Sequence, residues 1–204
     1  MSKMDLTKFQ KQIEGVSDKT RPLPPVEKWN PDFCGDINMT VTLDGRWFYE
    51  GTPVGRASLV KLFSSVLKRE DDKYFLVTPV EKVGITVEDT PFLITQWKEV
   101  EAGTNGGSST NGDKNTALVL ITQTGDEVVL DSVDQMELRV PPKAIRDKQA
   151  TAIPYVCVRR NLWARLHQNV YYQLLEKSKE IKGGDETHFV VHSANIDFVI
   201  GKVG

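Results

Sequence analysis

The chain has 204 residues, of which 39% are hydrophobic and 26% are charged, and its formal net charge is −2. This length suits one domain or two small ones, and the composition is typical of a soluble globular protein. No apolar run approaches the roughly 20 residues that a membrane-spanning helix needs, no secretory signal is recognisable, and the net charge gives no overall basic field for nucleic acid. We therefore predict a cytoplasmic protein with no membrane or nucleic-acid partner.

The first predicted elements are a short helix and an extended arm. Leu6, Phe9 and Ile13 are spaced for one face of a helix. Residues 21–26 contain three prolines, which exclude a helix and favour extended backbone. Residues 1–35 are therefore predicted to be a helix and a proline-rich arm.

Residues 36–91 are predicted to form a first α+β lobe. Asp44-Gly45 lies between two strand-like segments and fits a type I′ hairpin turn. Thr52-Pro53 resembles the N-cap and first position of a helix that would run from Gly55 to about Lys68. A strand is predicted at residues 74–78.

Residues 92–204 are predicted to form a second lobe with the same order of elements. It has a turn at Thr124-Gly125, a helix from about Asn161 to Lys177 and a strand from His188 to His192. Strand-like residues stand on both sides of the glycine-rich run 103–115, which favours a loop inserted in a hairpin. The predicted fold class is α+β, with two lobes built from a repeated hairpin-helix-strand motif and mainly antiparallel sheets.

The helix predicted in the first lobe and the helix predicted in the second can be aligned with each other in sequence. A shift of 104 positions puts Arg56 on Arg160 and Val66 on Val170. Duplication would explain this likeness, but so would burial, because two amphipathic helices that each lead to a strand need the same periodicity. Both explanations stay open.

The histidines and cysteines do not predict a metal, redox or cofactor site. His188 and His192 lie on a predicted strand, where four residues separate side chains by about 13 Å, too far for one zinc ion with ligand bonds of about 2 Å. His167 is expected to be a partly buried structural residue of the second helix. Cys34 and Cys157 form no CxxC pair. Phosphate-loop and nucleophile-elbow motifs are also missing from the sequence.

Charge is segregated in the second lobe. Residues 139–165 contain seven basic residues and one acidic residue, a local charge of +6, whereas residues 126–137 contain five acidic residues and no basic one. Either the two stretches pair with each other, or the basic stretch faces an anion.

Two arginines stand where the predicted helices begin. Free backbone N–H groups at a helix start favour an anion, and a guanidinium can add two hydrogen bonds to a phosphate or carboxylate. Arg56 and Arg160 are therefore candidate anion-binding residues. The alternative is a salt bridge from such an arginine to an acid such as Glu50 or Asp36.

Four segments resemble a bacterial family of unknown function, domain-of-unknown-function family 1285. They are LPPVEKWNPDFCGDI at 23–37, DGRWFYEGTPVGR at 44–56, LVTPVEKV at 76–83 and PYVCVRRNL at 154–162. The resemblance implies an α+β architecture of repeated motifs and a link to signal transduction. It implies no reaction, ligand or catalytic residue.

Our leading interpretation is a binding module, of a signal-transduction or sensor type, that holds a small anionic ligand or a partner segment between its lobes. The predicted site residues are Arg56, Glu81, Lys82, Tyr155, Arg159 and Arg160. An enzyme that uses Asp36 or Glu50 in a cleft of the first lobe is the alternative. A scaffold whose exposed hairpins contact another protein is a third interpretation, and the oligomeric state stays open.

Overall fold

The computed structural model describes residues 6–16, 23–101 and 116–204 and divides the chain into two units, Met1–Pro91 and Phe92–Gly204. The predicted loop 103–115 lies outside the described residues. The helices are α1 (Leu6–Val16), α2 (Ala57–Ser65) and α3 (Gln168–Lys177). The strands of the first unit are β1 (Phe33–Val41), β2 (Trp47–Tyr49), β3 (Thr52–Pro53), β4 (Leu67–Glu70), β5 (Lys73–Val77) and β6 (Lys82–Val87). Those of the second are β7 (Phe92–Glu101), β8 (Thr116–Thr122), β9 (Glu127–Val129), β10 (Met136–Arg139), β11 (Ile153–Arg159), β12 (Leu162–Leu166), β13 (Lys179–Gly183), β14 (Glu186–Ser193) and β15 (Ile196–Val203).

The first unit holds a six-stranded sheet in the order β3-β2-β1-β6-β5-β4. Each half of this sheet is antiparallel, and the parallel pair β1–β6 joins the halves. Phe63 of α2 lies against Trp47 of β2, with ring centroids 6.4 Å apart, and against Phe9 of α1 at 6.3 Å. All three rings are buried, so the two helices and β2 share one core.

The second unit repeats the strand topology of the first. Its six-stranded sheet has the order β9-β8-β7-β12-β11-β10, again with two antiparallel halves joined by one parallel pair, β7–β12. α3 then leads into a separate antiparallel sheet of β13, β14 and β15. The predicted fold class, two similar α+β lobes with mainly antiparallel sheets, is confirmed.

A buried hydroxyl connects the two sheets of the second unit. Ser193 of β14 donates a hydrogen bond to the carbonyl of Leu130 and accepts one from the N–H of Leu118 at 2.8 Å. Buried backbone groups need such partners, so Ser193 fixes the three-stranded sheet against β8 and the end of β9.

The helices do not occupy equivalent places in the two units. α2 connects β3 to β4, whereas the equivalent connection from β9 to β10 carries the 3₁₀ helix Val133–Gln135, and α3 follows the sixth strand of its sheet. The predicted superposition of Arg56 on Arg160 is therefore wrong. The strands carry the repeat, and the similar helix periodicity reflects similar burial.

The helix predicted from about Asn161 to Lys177 corresponds to α3, which begins later than expected. α3 starts at Gln168, and His167 is its N-cap, where the ring nitrogen Nδ1 accepts the N–H of Asn169 at 3.2 Å. His167 is exposed, not partly buried inside the helix. The preceding residues form β12 because alternate side chains are buried and β11 and β7 pair with it on both sides; the buried residues are Leu162, Ala164 and Leu166.

The helix predicted from Gly55 to about Lys68 corresponds to α2, which is shorter at both ends. Thr52-Pro53 does not cap it but forms β3, paired with β2, and the N-cap is Arg56. The helix ends at Ser65 rather than near Lys68, since Leu67–Glu70 pair with β5. Tertiary pairing here overrides local helix propensity.

The two predicted turns share a geometry that is not type I′. Gly45 has a φ of 78°, but Asp44 is not at positive φ, and a type I′ turn requires both. The N–H of Gly45 instead donates to the carbonyl of Thr42 at 2.9 Å, and the N–H of Gly125 donates in the same way to Thr122. The turns are not topologically equivalent, because one joins β1 to β2 and the other joins β8 to β9.

Candidate functional site

Arg56, the first predicted site residue, caps α2. Its carbonyl accepts the N–H groups of Leu59 and Val60 at 3.0 and 3.1 Å, while its exposed side chain makes no capping hydrogen bond. In the described part of the chain, neither Glu50 nor Asp36 forms a salt bridge with it. An anion-binding role for Arg56 stays a prediction.

Glu81 and Lys82 adjoin in sequence, but their side chains have different partners. The Glu81 carboxylate lies 4.0 Å from Nζ of Lys8 in α1. Lys82 Nζ donates to Oε2 of Glu70 at 3.0 Å, and Lys68 Nζ lies 3.1 Å from the other carboxylate oxygen. Two ammonium groups thus share one carboxylate, which leaves the cluster with a net positive charge.

This cluster predicts an acid-sensitive first unit. The hydrogen bond from Lys82, reinforced by Lys68, holds the pKa of Glu70 below its usual 4.5. A carboxyl whose folded-state pKa is lowered stabilises the fold above its unfolded pKa, and this stability is lost as the pH falls through the folded value. We expect Glu70→Gln to lower stability at pH 7 by at most about 1 kcal/mol, because the side chain is partly exposed.

Melting temperatures of the wild type and Glu70→Gln between pH 7 and pH 3 measure this effect. The difference between them should shrink below about pH 4.5. Asp32→Asn removes an exposed carboxylate of the same unit as a control and should leave the acid limb of the curve unchanged. Parallel curves for wild type and Glu70→Gln down to pH 3 would rule out this role.

An aromatic pair lies beside the lysine cluster on the same sheet face. Lys82 Nζ lies 5.1 Å from the ring centroid of Phe75, and Phe33 meets that ring edge-on at 5.9 Å. Phe33 is 53% exposed. Asp36 lies opposite Gly84, where a Cβ atom would stand 1.9 Å from Oδ1 of the aspartate, so glycine leaves the room for this carboxylate.

The carboxylates of the enzyme alternative lie on the surface. Asp36 and Glu50 are both exposed, and Glu50 accepts a hydrogen bond from Asn38 at 3.4 Å. Neither therefore has the water-excluded setting that acid–base catalysis in a cleft uses.

Tyr155 lies inside the second six-stranded sheet and is 2% exposed. The guanidinium carbon of Arg139 lies 5.3 Å from its ring centroid and 4.0 Å from that of Trp163. Arg139 also donates to Glu137 at 2.9 Å. β11, which carries Tyr155, is the equivalent of β5, which carries Phe75, so each unit has a cation over an aromatic ring on the same strand of its sheet.

Arg159 is paired and largely buried. Its side chain is 10% exposed, it donates to Oδ1 of Asp126, and its guanidinium carbon lies 4.6 Å from the ring centroid of Phe92. Burial lowers the pKa of the Arg159 guanidinium, and the Asp126 carboxylate opposes this effect. Asp126 also accepts the hydroxyls of Thr122 and Thr124, so this ion pair joins a turn to the sheet.

Arg160 lies in the turn between β11 and β12, not at a helix start. It is exposed, with a φ of 54°, and its carbonyl accepts a hydrogen bond from the Cys157 thiol at 3.2 Å. The physical argument for an anion at a helix N-terminus therefore does not apply here. Three of the six predicted residues lie in each unit, and whether they act together stays a prediction.

Two of the seven basic residues in the basic stretch pair with residues of the acidic stretch. Arg159 pairs with Asp126 and Arg139 with Glu137, each joining the basic stretch to the acidic one. Glu137 and Arg139 both lie on β10, whereas Asp126 lies in the turn between β8 and β9. This favours mutual pairing over a basic surface that faces an anion.

The second unit contains a groove that the sequence did not predict. It has a volume of about 330 Å³ and lies between β10 and β15, which are both edge strands of their sheets. Its apolar walls are formed by Val133, Met136, Leu138, Phe198 and Val199, and its charged side chains are Asp197 and Lys202. Its walls come from β10 and β15, which are far apart in sequence, so no local sequence pattern predicts the groove. The clearest sign of it in the structure is the exposed apolar side chain of Val133 in the 3₁₀ helix.

Family models match both units. Residues 24–90 match the N-terminal domain of a domain of unknown function, DUF1285, and residues 91–200 match the C-terminal domain of the same family. The chain belongs to the DUF1285 family. Two solved structures are similar to it, and a search of curated proteins finds no match.

Both of these structures are of DUF1285 family proteins. The protein from Silicibacter pomeroyi DSS-3 is 34% identical, with a TM-score of 0.78, and the match covers 99% of this chain and 97% of that one. The protein from Shewanella baltica OS155 is 30% identical, with a TM-score of 0.50, and the match covers 69% and 92%. Neither description names a ligand or a reaction.

The described part of this DUF1285 chain has neither a membrane-spanning helix nor a metal-ligand cluster. No helix there is long and apolar enough to cross a membrane. No group of three or more histidine, cysteine, aspartate or glutamate side chains within it is arranged to hold a metal ion.

Proposed function

We propose that the protein is a binding module that takes up an extended peptide segment of a partner protein in the groove between β10 and β15. The groove is the observation that carries this proposal. It supports a partner segment over a small anion, since five of its seven lining residues are apolar. Within this proposal, a signal-transduction role would operate through this interaction.

The size and walls of the groove suit an anchoring side chain. Pockets for small molecules have volumes of about 300–1,000 Å³, so this groove is at the small end. An apolar side chain from a partner could fill it against Met136 and Leu138 and cover Val133, which is now 65% exposed. Anchors of this kind dominate the affinity of many interfaces.

The edge strands provide the second element of recognition. β10 pairs only with β11 and β15 only with β14, so each strand has an edge with no strand partner among the described residues. An extended peptide can add backbone hydrogen bonds to such an edge, and pockets for its alternate side chains give specificity.

The charged side chains indicate the chemistry of the partner segment. Lys202 is exposed and would attract an acidic residue, whereas Asp197 already lies 2.8 Å from Nδ1 of His192. We therefore expect the segment to carry an apolar anchor with an acidic residue close to it.

Selection from a random peptide display library, with the full chain immobilised, tests the proposal. Enriched peptides should share an apolar residue and a nearby acid. Val133→Arg should weaken their binding by about tenfold or more, since it puts a charge into the groove. Val129→Arg is the matched control, because Val129 is 40% exposed on β9 and does not line the groove.

Two outcomes would overturn the peptide proposal. One is the absence of any enriched peptide, and the other is binding that Val133→Arg leaves unchanged. A thermal-shift titration with inorganic phosphate tests the small-anion alternative in parallel. Stabilisation by phosphate that Arg56→Ala abolishes would favour that alternative.

A further inference from the structure

We infer that the free edge of β13 (Lys179–Gly183) is a self-pairing surface, at which a second copy of this chain adds its own β13 in antiparallel orientation. β13 pairs with β14 and has no strand on its other side among the described residues. All five of its residues are exposed, including Ile181 at 45%. An exposed edge of this kind is a template for a further strand.

The hairpin between β13 and β14 determines which backbone groups face outward. Gly183 pairs with Glu186 across a two-residue loop whose first residue, Gly184, has a φ of 68°, as in a type II′ turn. Residues that flank such a loop are hydrogen-bonded to each other, so Gly183 faces β14. Because successive residues of a strand alternate, Glu180 and Lys182 turn their N–H and C=O groups to the free edge.

The charges on the edge are complementary to themselves. In antiparallel pairing centred on Ile181, Glu180 of each copy lies opposite Lys182 of the other. The two Ile181 side chains meet, and Lys179 lies opposite Gly183. A twofold axis relates the two copies, as in most homodimers.

Neighbouring registers are disfavoured by the same side chains. Glu180 and Lys182, whose backbone N–H and C=O groups point to the free edge, must pair with the same kind of residue in the other copy. The register can therefore shift only so that such residues still face each other. The adjacent allowed registers place Glu180 opposite Glu180, or Lys182 opposite Lys182, and like charges directly opposite repel. Lysines on an edge strand also deter unrelated strands. The edge therefore favours one partner in one register.

Sedimentation equilibrium over a range of protein concentrations tests this inference. A short strand pair buries less than the roughly 1,200 Å² typical of stable complexes, so we expect a reversible dimer that forms as the concentration rises. Glu180→Lys and Lys182→Glu each replace two attractive pairs with two repulsive ones and should weaken self-association by about tenfold or more. Circular dichroism should show that these surface variants fold.

Mixing the two variants provides the sharpest test. Glu180→Lys and Lys182→Glu should associate with each other more strongly than either does with itself, because the mixture restores opposite charges at both pairs. Glu176→Lys is the control, since it makes the same charge change on an exposed residue of α3, outside the pairing strand. A wild type that is monomeric at all concentrations up to about 1 mM, single variants that associate like the wild type, or a mixture that stays monomeric would each overturn the inference.

Discussion

Replacing Phe63 with alanine should lower the free energy of unfolding of the first unit by about 3–5 kcal/mol, the usual cost of removing a buried phenylalanine. Phe63 is fully buried and contacts rings from two other elements, Trp47 of β2 and Phe9 of α1. Its removal leaves a cavity that neither neighbour can fill without leaving its own packed position. Urea denaturation followed by tryptophan fluorescence measures the change.

The control for this prediction is Lys61→Ala on the same helix. Lys61 is exposed, so its loss should change stability by about 0.5 kcal/mol or less. A loss below about 1 kcal/mol for Phe63→Ala would show that α2 is not held to the sheet by this aromatic core.

Asp126→Ala should destabilise the second unit by about 3–5 kcal/mol, as expected when one member of a buried ion pair is removed. The variant leaves the Arg159 guanidinium, whose side chain is 10% exposed, without its carboxylate. It also removes the acceptor of the Thr122 and Thr124 hydroxyls. The free energy of unfolding in urea is the measurement.

A matched control and a double variant separate the ion pair from general effects. Glu127→Ala breaks a half-exposed pair with Lys98 and should cost about 1 kcal/mol or less. Adding Arg159→Met to Asp126→Ala should recover part of the stability, because an apolar side chain then replaces the buried guanidinium. Equal losses for Asp126→Ala and Glu127→Ala would contradict a structural role for Arg159.

The sequence predicted what local periodicity controls. The apolar spacing of Leu6, Phe9 and Ile13 predicted α1, and the segments around residues 117–130 and 188–192 predicted strands that the structure contains. The two-lobe α+β fold followed from the order of these elements.

The errors arose where distant partners decide the local structure. Residues 162–166 carry apolar side chains that fit a helix stripe as well as a strand, and the strands on both sides of β12 resolve this ambiguity. Because of this ambiguity the sequence predicted Arg160 at a helix start, whereas the structure places it in the turn between β11 and β12. The helix likeness also concealed the actual repeat, which lies in the order of strands in each sheet.

The candidate site was less predictable than the fold. Charge segregation suggested an anion surface, but Arg139 pairs with Glu137 on its own strand, and Arg159 pairs with Asp126 in the turn between β8 and β9. The groove needs side chains from β10 and β15, and their proximity depends on how two sheets pack. Single-sequence patterns contain little information about such packing.

Mapping an enriched peptide onto the ¹⁵N-labelled full chain by NMR tests the peptide-binding proposal most directly. Titration should shift the amide signals of β10 and β15 and of the 3₁₀ helix Val133–Gln135, with little change in the first unit. Val133→Arg should reduce these shifts at the same peptide concentration. Signals that move at the start of α2 around Arg56 while β10 and β15 stay unchanged would contradict the proposal.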